Sequence, residues 1–248
     1  MSEQPLPGRV TPGLVRVGDT VRRPTGPWTP AVDALLLHLE AVGFVGAPRA
    51  LGQDRQGRQV LEHVPGEAGG PSPSWSPAQL RAVGGLLADL HLAAGSFVPP
   101  AGAVWDCPVA PDGRELVCHG DPAPWNLVAS ARGWVLVDWD AAGPATALWE
   151  LAYTAQTASP LEPGRAVPGS ATGLRALVDG YGLDEPGRRR LVPLLARRAQ
   201  GMVDLLGDGA RTGRQPWARL EAEDGAYWRG AVAHVRRHEV VWERALLD

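Results

Sequence analysis

Between residues 116 and 140 the chain reads LVCHGDPAPWNLVASARGWVLVDWD, and no other stretch limits its fold as tightly. The apolar run Leu116-Val117-Cys118 ends in His119-Gly120-Asp121, and Asn126 follows Asp121 by five residues. A second apolar pair, Leu127-Val128, leads through a turn-like segment to a third run, residues 134–137, which ends at Asp138. Strand ends and the loops after them hold functional groups in place while leaving them open to substrate. Two carboxylates and an amide at one such mouth form an all-oxygen donor set. That chemistry suits a hard cation such as magnesium carrying phosphate.

Composition narrows the partners. With 248 residues, 44% of them hydrophobic, the chain can bury one large core or two lobes. The net charge is only -3 and the arginines are scattered, so neither nucleic acid nor an anionic membrane surface is expected as a partner. The opening MSEQPLPG lacks the basic and apolar regions of a signal peptide, and no apolar run reaches bilayer length, so a cytoplasmic location is expected. Cys107 and Cys118 are too few for a disulfide framework or a thiolate metal site. All 24 basic residues are arginine, and Asn126 is the only asparagine.

Read in order, the chain starts with strand patterning. From Leu14, apolar and polar residues alternate to Arg23, broken at Gly18-Asp19 by a hairpin-type turn. Gly8 and Gly13 precede it without forming a recognised phosphate loop. Thr29-Pro30 opens a helix carrying Val32, Leu35, Leu36 and Leu39, closed by Gly43. Residues 48–52 and 59–64 read as two strands around a polar turn. A Gly/Pro/Ser-rich stretch, residues 67–74, marks a boundary. Ser76-Pro77-Ala78-Gln79 then forms a capping box ahead of a helix with Leu80, Val83, Leu87, Leu90 and His91 on one face. Further helices are expected near 147–155, 171–181, 185–206 and 221–246, with Pro193 a kink or a first turn in the third of these. The pattern is α+β, with the sheet in the first 66 residues and helices dominating residues 67–248.

The HGDxxxxN pattern, with an aspartate seventeen residues after Asp121 at a strand end, resembles the aminoglycoside phosphotransferase and choline kinase family of small-molecule kinases. Gly143-Pro144 and Glu150-Leu151-Ala152 extend the likeness, as do the segments around Leu90-His91 and residues 61–66. The resemblance implies a bilobal protein-kinase-like fold, with an antiparallel-sheet lobe over residues 1–66 and a mainly helical lobe over 67–248. It implies that Asp121 orients the acceptor hydroxyl and takes its proton, with His119 buttressing the same catalytic loop. Asn126 and Asp138 would hold Mg2+ against the phosphates of ATP or GTP. Glu62 and Val64 would meet the adenine edge through their backbone. The chain has no lysine, so the phosphate-binding cation of the third strand falls to Arg22, with Arg23 turned to the other face. Asp33 and Glu40 are the acids nearest to the place of the helical glutamate that usually orients that cation.

A nucleoside triphosphate and a small hydroxyl-bearing acceptor are thus the expected partners, with Trp217 and Trp228 candidates for an acceptor pocket. The missing lysine also admits a nucleotide-binding module with little or no catalysis. A phosphohydrolase built on His119, Asp121 and Asp138 fits less well, because the six histidines are dispersed.

Overall fold

In the computed structural model, which describes residues 2–6, 8, 10–70 and 74–248, the hairpin at Gly18-Asp19 lies within a five-stranded antiparallel sheet. Strands β1 (Gln4–Pro5), β2 (Val15–Val17) and β3 (Thr20–Arg23) precede helix α1 (Thr29–Ala41) and strands β4 (Ala50–Gln53) and β5 (Gln59–Glu62). The sheet order is β1-β2-β3-β5-β4. Gly18 turns between β2 and β3 with φ +60°, a left-handed conformation that a Cβ disfavours. Helix α1 buries Val32, Leu35, Leu36 and Leu39, the residues whose spacing marked its apolar face.

Strand β6 (Glu67–Ala68) falls inside the expected boundary stretch, of which residues 71–73 lie outside the described residues. Helix α2 (Pro77–Ala94) starts with both halves of the capping box formed: Gln79 N–H donates to Ser76 Oγ and Ser76 N–H donates to Gln79 Oε1. Strand β7 (Leu116–Cys118) leads into the His119-Gly120-Asp121 segment, followed by the hairpin of β8 (Leu127–Ser130) and β9 (Gly133–Leu136). Strand β10 (Gly143–Ala145) returns to pair with β7, and β6 pairs with β8. The rest is helical: α3 (Ala147–Ala158), α4 (Val167–Tyr181), α5 (Glu185–Thr212), α6 (Trp217–Arg237) and α7 (Glu239–Leu247).

Several helix boundaries differ from the sequence expectation. Helix α4 begins at Val167, because Pro168 fits a first turn whose N–H groups lack intrahelical partners anyway. Helix α5 runs through Pro193 and on to Thr212, past Gly207 and Gly209 and beyond the expected end at 206. Gly209 is needed there, since a Cβ on it would stand 2.3 Å from Trp217 Cβ. The long last helix is broken at His238 into α6 and α7.

One apolar core joins the two regions. Leu35, Leu36 and Leu39 of α1 belong to the same buried cluster as Leu87 and Leu90 of α2, Leu127, Leu136, Trp139, Leu151, Leu177 and Trp242. Helices α2 and α4 cross at glycines: a Cβ on Gly84 would lie 2.0 Å from Leu177 O, and one on Gly180 would lie 2.0 Å from Arg81 O. Gly84→Ala is therefore expected to push these helices apart and cost about 2 kcal/mol, measured by urea unfolding. Gly85→Ala, whose nearest contact is 3.7 Å away, is the control. It should be neutral or gain up to about 1 kcal/mol in helix propensity.

Candidate active site

The turn after β7 depends on Gly120, which has φ +84° and packs so closely that a Cβ would sit 2.1 Å from Ala141 O. That approach brings the Asp121 loop against the turn that follows Asp138. His119 is fully buried and bonds on both sides. Its Nδ1 accepts the Asp121 N–H at 3.2 Å, which leaves Nε2 to donate to Val137 O at 3.1 Å. Burial holds its pKa below the usual imidazole value, which favours this neutral form. His119 thus ties the strand end bearing Asp138 to the loop bearing Asp121, as a buttress rather than a base.

Asp121 Oδ2 accepts from Asn126 Nδ2 at 2.9 Å and from Trp125 Nε1 at 3.3 Å. Oδ1 is buried without a hydrogen bond of good geometry. Burial, with the charge of Asp138 nearby, pushes the Asp121 carboxyl up to about 6, against the pull of the Tyr153 hydroxyl, Trp125 and Arg198. Among the described residues Asp138 is the only non-glycine with positive φ, at 64°. A left-handed residue here costs on the order of 1 kcal/mol, a strain of the kind that collects at functional sites.

Strand β3 supplies the cation, from the residue next to the expected one. Arg22 turns away from the cleft: it bonds Thr20 Oγ1 and stands 3.6 Å from Asp54 Oδ2. Arg23, 3% exposed, reaches inward, with Nη2 2.8 Å from Asp138 Oδ1 and also bonded to Asp140 Oδ2. Successive side chains on a strand point to opposite faces, so the expected facing was reversed by one residue. Asp140, not singled out from the sequence, is a centre of this site. It also accepts from Trp28 Nε1 at 3.1 Å and Thr11 Oγ1 at 3.2 Å, so the β1–β2 connection is fastened over the cleft. Burial raises the Asp140 carboxyl pKa, and Arg23 opposes that shift. Asp33 does not meet the cation but accepts from Gln59 Nε2.

A cleft of about 530 Å³ gathers Asp121, Asn126, Asp138 and Asp140, and continues between α5 and α6, where Trp217 and Trp228 line it as expected. Glu62 and Val64 lie outside this lining. The Glu62 carboxylate bonds Arg132, and Val64 packs on Val128 and Val135 with Val137 at the edge, a small buried apolar cluster. Beneath the catalytic loop, buried Glu150 accepts the Gly120 N–H at 2.7 Å and meets His91 Nε2 at 2.8 Å. His91 is thus a satisfied core residue, and its other ring nitrogen is 2.8 Å from the Tyr181 hydroxyl.

A sheet-capped helical body with acids, an amide and an inward cation at the mouth of its cleft defines the kinase-like phosphotransferase class. The chain belongs to the phosphotransferase enzyme family, whose pattern it matches over residues 101–194. It is 37% identical over 202 residues to the trifolitoxin immunity protein of Rhizobium leguminosarum bv. trifolii, covering 76% of each chain. In fold it resembles an amicoumacin kinase solved with AMP-PNP and Ca2+, with a TM-score of 0.68, 11% identity and coverage of 96% of this chain and 87% of that one. A choline/ethanolamine kinase family protein from Mesorhizobium loti gives a TM-score of 0.59 at 18% identity, with coverage of 100% and 92%. Among the described residues no helix is long and apolar enough to cross a membrane.

Proposed function

We propose that the protein transfers the γ-phosphoryl group of ATP or GTP to a hydroxyl of a small molecule. The observation that carries this reading is that Asp121, Asn126 and Asp138 line one cleft, with Arg23 of β3 bonded to Asp138. Asp121 orients the acceptor hydroxyl and takes its proton. The hydroxyl oxygen bonds to the γ-phosphorus as the bond from that phosphorus to the β,γ-bridging oxygen breaks, and the diphosphate leaves. Asn126 and Asp138 offer hard oxygen donors, the donor set that Mg2+ prefers, and would hold it at the phosphates. When bound, that cation supplies charge neutralisation at the phosphate oxygens. Arg23 takes the role first assigned to Arg22, its fork turning from carboxylates to phosphate once nucleotide enters. Glu62 and Val64 would offer backbone groups to the edge of the base, beside the buried cluster of Val64, Val128 and Val135.

The immunity role in the relative's name directs the acceptor search towards hydroxyl-bearing antibacterial compounds. The test is Mg2+-dependent transfer from γ-labelled ATP across such a panel. Arg23→Met is expected to raise the KM for ATP by about tenfold or more, the loss of one charge-assisted phosphate contact. Arg22→Met should leave it within about twofold; the reverse ranking would restore the original assignment. A nucleotide-binding module without turnover is the second reading, favoured by the missing lysine. It would show as thermal stabilisation by nucleotide with no transfer.

A further inference from the structure

The acceptor end of the cleft holds a cation of its own. Arg198 projects from α5 beside Asp121 and is 4% exposed. Its guanidinium carbon lies 4.1 Å from the Tyr153 ring centroid and 5.6 Å from that of Trp149. Its polar contact is a long one, Nη2 to Gly120 O at 3.4 Å, while Nε and Nη1 are buried without hydrogen-bond partners. Burial lowers its pKa, yet a guanidinium stays charged at neutral pH.

Aromatic faces attract ammonium groups through their ring quadrupoles, and a cluster of Trp and Tyr around a cavity would ordinarily point to a cationic ligand. Here the resident arginine already uses those faces, and Tyr153 also stacks on Trp228 at 6.1 Å. The neighbouring lining is apolar, with Met202, Leu205, Leu206 and Leu220. Two further acids line the cleft. Burial raises the Asp106 carboxyl above its usual value, and Asp224 already has a partner.

We propose that Arg198 makes this subsite reject cationic alcohols and admit non-cationic ones with an aromatic or aliphatic body. The acceptor role of the subsite rests on the kinase reading above; the charge selection does not. Two unit charges about 6 Å apart at an effective dielectric constant of about 20 repel enough to cost roughly a hundred-fold in affinity, a cost that the neighbouring Asp121 carboxylate offsets in part.

The test uses the full chain, alone and with Mg2+ and ADP, and two probes that differ in one charge. These are N-acetyl-seryl-tryptophan amide and the same compound with its free α-amine, titrated calorimetrically at pH 7. The acetylated probe is expected to bind at least about tenfold more tightly. Arg198→Met should bring the two affinities within about twofold. Met202→Glu adds an acid one helical turn further along the same face and keeps the arginine, so it should narrow the preference even if the first variant folds poorly. Equal affinities in the unaltered protein, including no binding of either probe, overturn the proposal. So does a preference left intact in both variants. Failure to bind nucleotide, or to transfer phosphate to any alcohol, counts instead against the kinase reading, because probe selectivity is also read without nucleotide.

Discussion

Asp121→Asn is expected to lower kcat by about a thousand-fold while making the protein without nucleotide more stable. The first effect follows from losing a positioned base and the orientation of the attacking hydroxyl, which together contribute on the order of 10² to 10⁴. The second follows from burial. The folded-state pKa rises from 3.8 to about 6, so the folded protein binds this proton more tightly than the unfolded chain. The associated stability is full below pH 3.8 and is lost as pH rises to about 6. Above that, the ionised carboxylate costs about 2 kcal/mol, with allowance for its partial opening to the cleft. An asparagine keeps an oxygen for Asn126 Nδ2 and Trp125 Nε1 but carries no charge. Urea unfolding at pH 7.5 should show the gain, and at pH 4 it should nearly vanish. A variant both inert and less stable at pH 7.5 would mean that the carboxylate serves the fold as an acceptor and carries no functional strain.

The parts of this molecule legible in the sequence are those fixed by local chemistry. The capping box at Ser76, the turn at Gly18 and the apolar faces of α1 and α2 follow from residues within a few positions of one another. The catalytic loop is legible for the same reason, because Asp121 and Asn126 sit in one short connection. What escaped depends on distant packing. Whether Arg22 or Arg23 faces the cleft is set by how β3 registers on β5, and one residue of slip reverses every side chain. Asp140 was not legible because Thr11, Trp28 and Arg23, which surround it, lie more than a hundred residues away. The full length of α5 was hidden because Gly209 signals a loop locally, yet it is the residue that lets Trp217 approach. Arg198 gave no signal among so many arginines. Its spacing four residues before Met202 on one helix face was visible, but not the aromatic rings it meets.

Glu150→Ala should be the most damaging single change beneath the Asp121 loop, costing about 3 to 5 kcal/mol. The carboxylate is 3% exposed and holds two groups that have no replacement partner, the Gly120 N–H and His91 Nε2. Removing it leaves a buried amide and a buried imidazole nitrogen orphaned and opens a cavity, and each of these carries a separate penalty. The damage would spread along a connected chain, from Tyr181 on α4 through His91 on α2 and Glu150 on α3 to the catalytic loop. Burial alone would raise the Glu150 pKa, but the hydrogen bonds from His91 and the Gly120 amide bring it below 4.5. A depressed carboxylate contributes stability above its unfolded pKa and loses it as pH falls, so this contribution should fade below about pH 4.5. Glu150→Gln retains an oxygen for Gly120 and should cost only about 1 to 2 kcal/mol, and its unfolding should lack that acid limb. Because Gly120 and Asp121 are adjacent, the glutamine variant should still bind nucleotide while kcat falls by about tenfold, a loosened loop misplacing the base. Equal destabilisation by alanine and glutamine would locate the energy in the charge of Glu150, whereas the ranking expected here locates it in the amide and imidazole that the side chain satisfies.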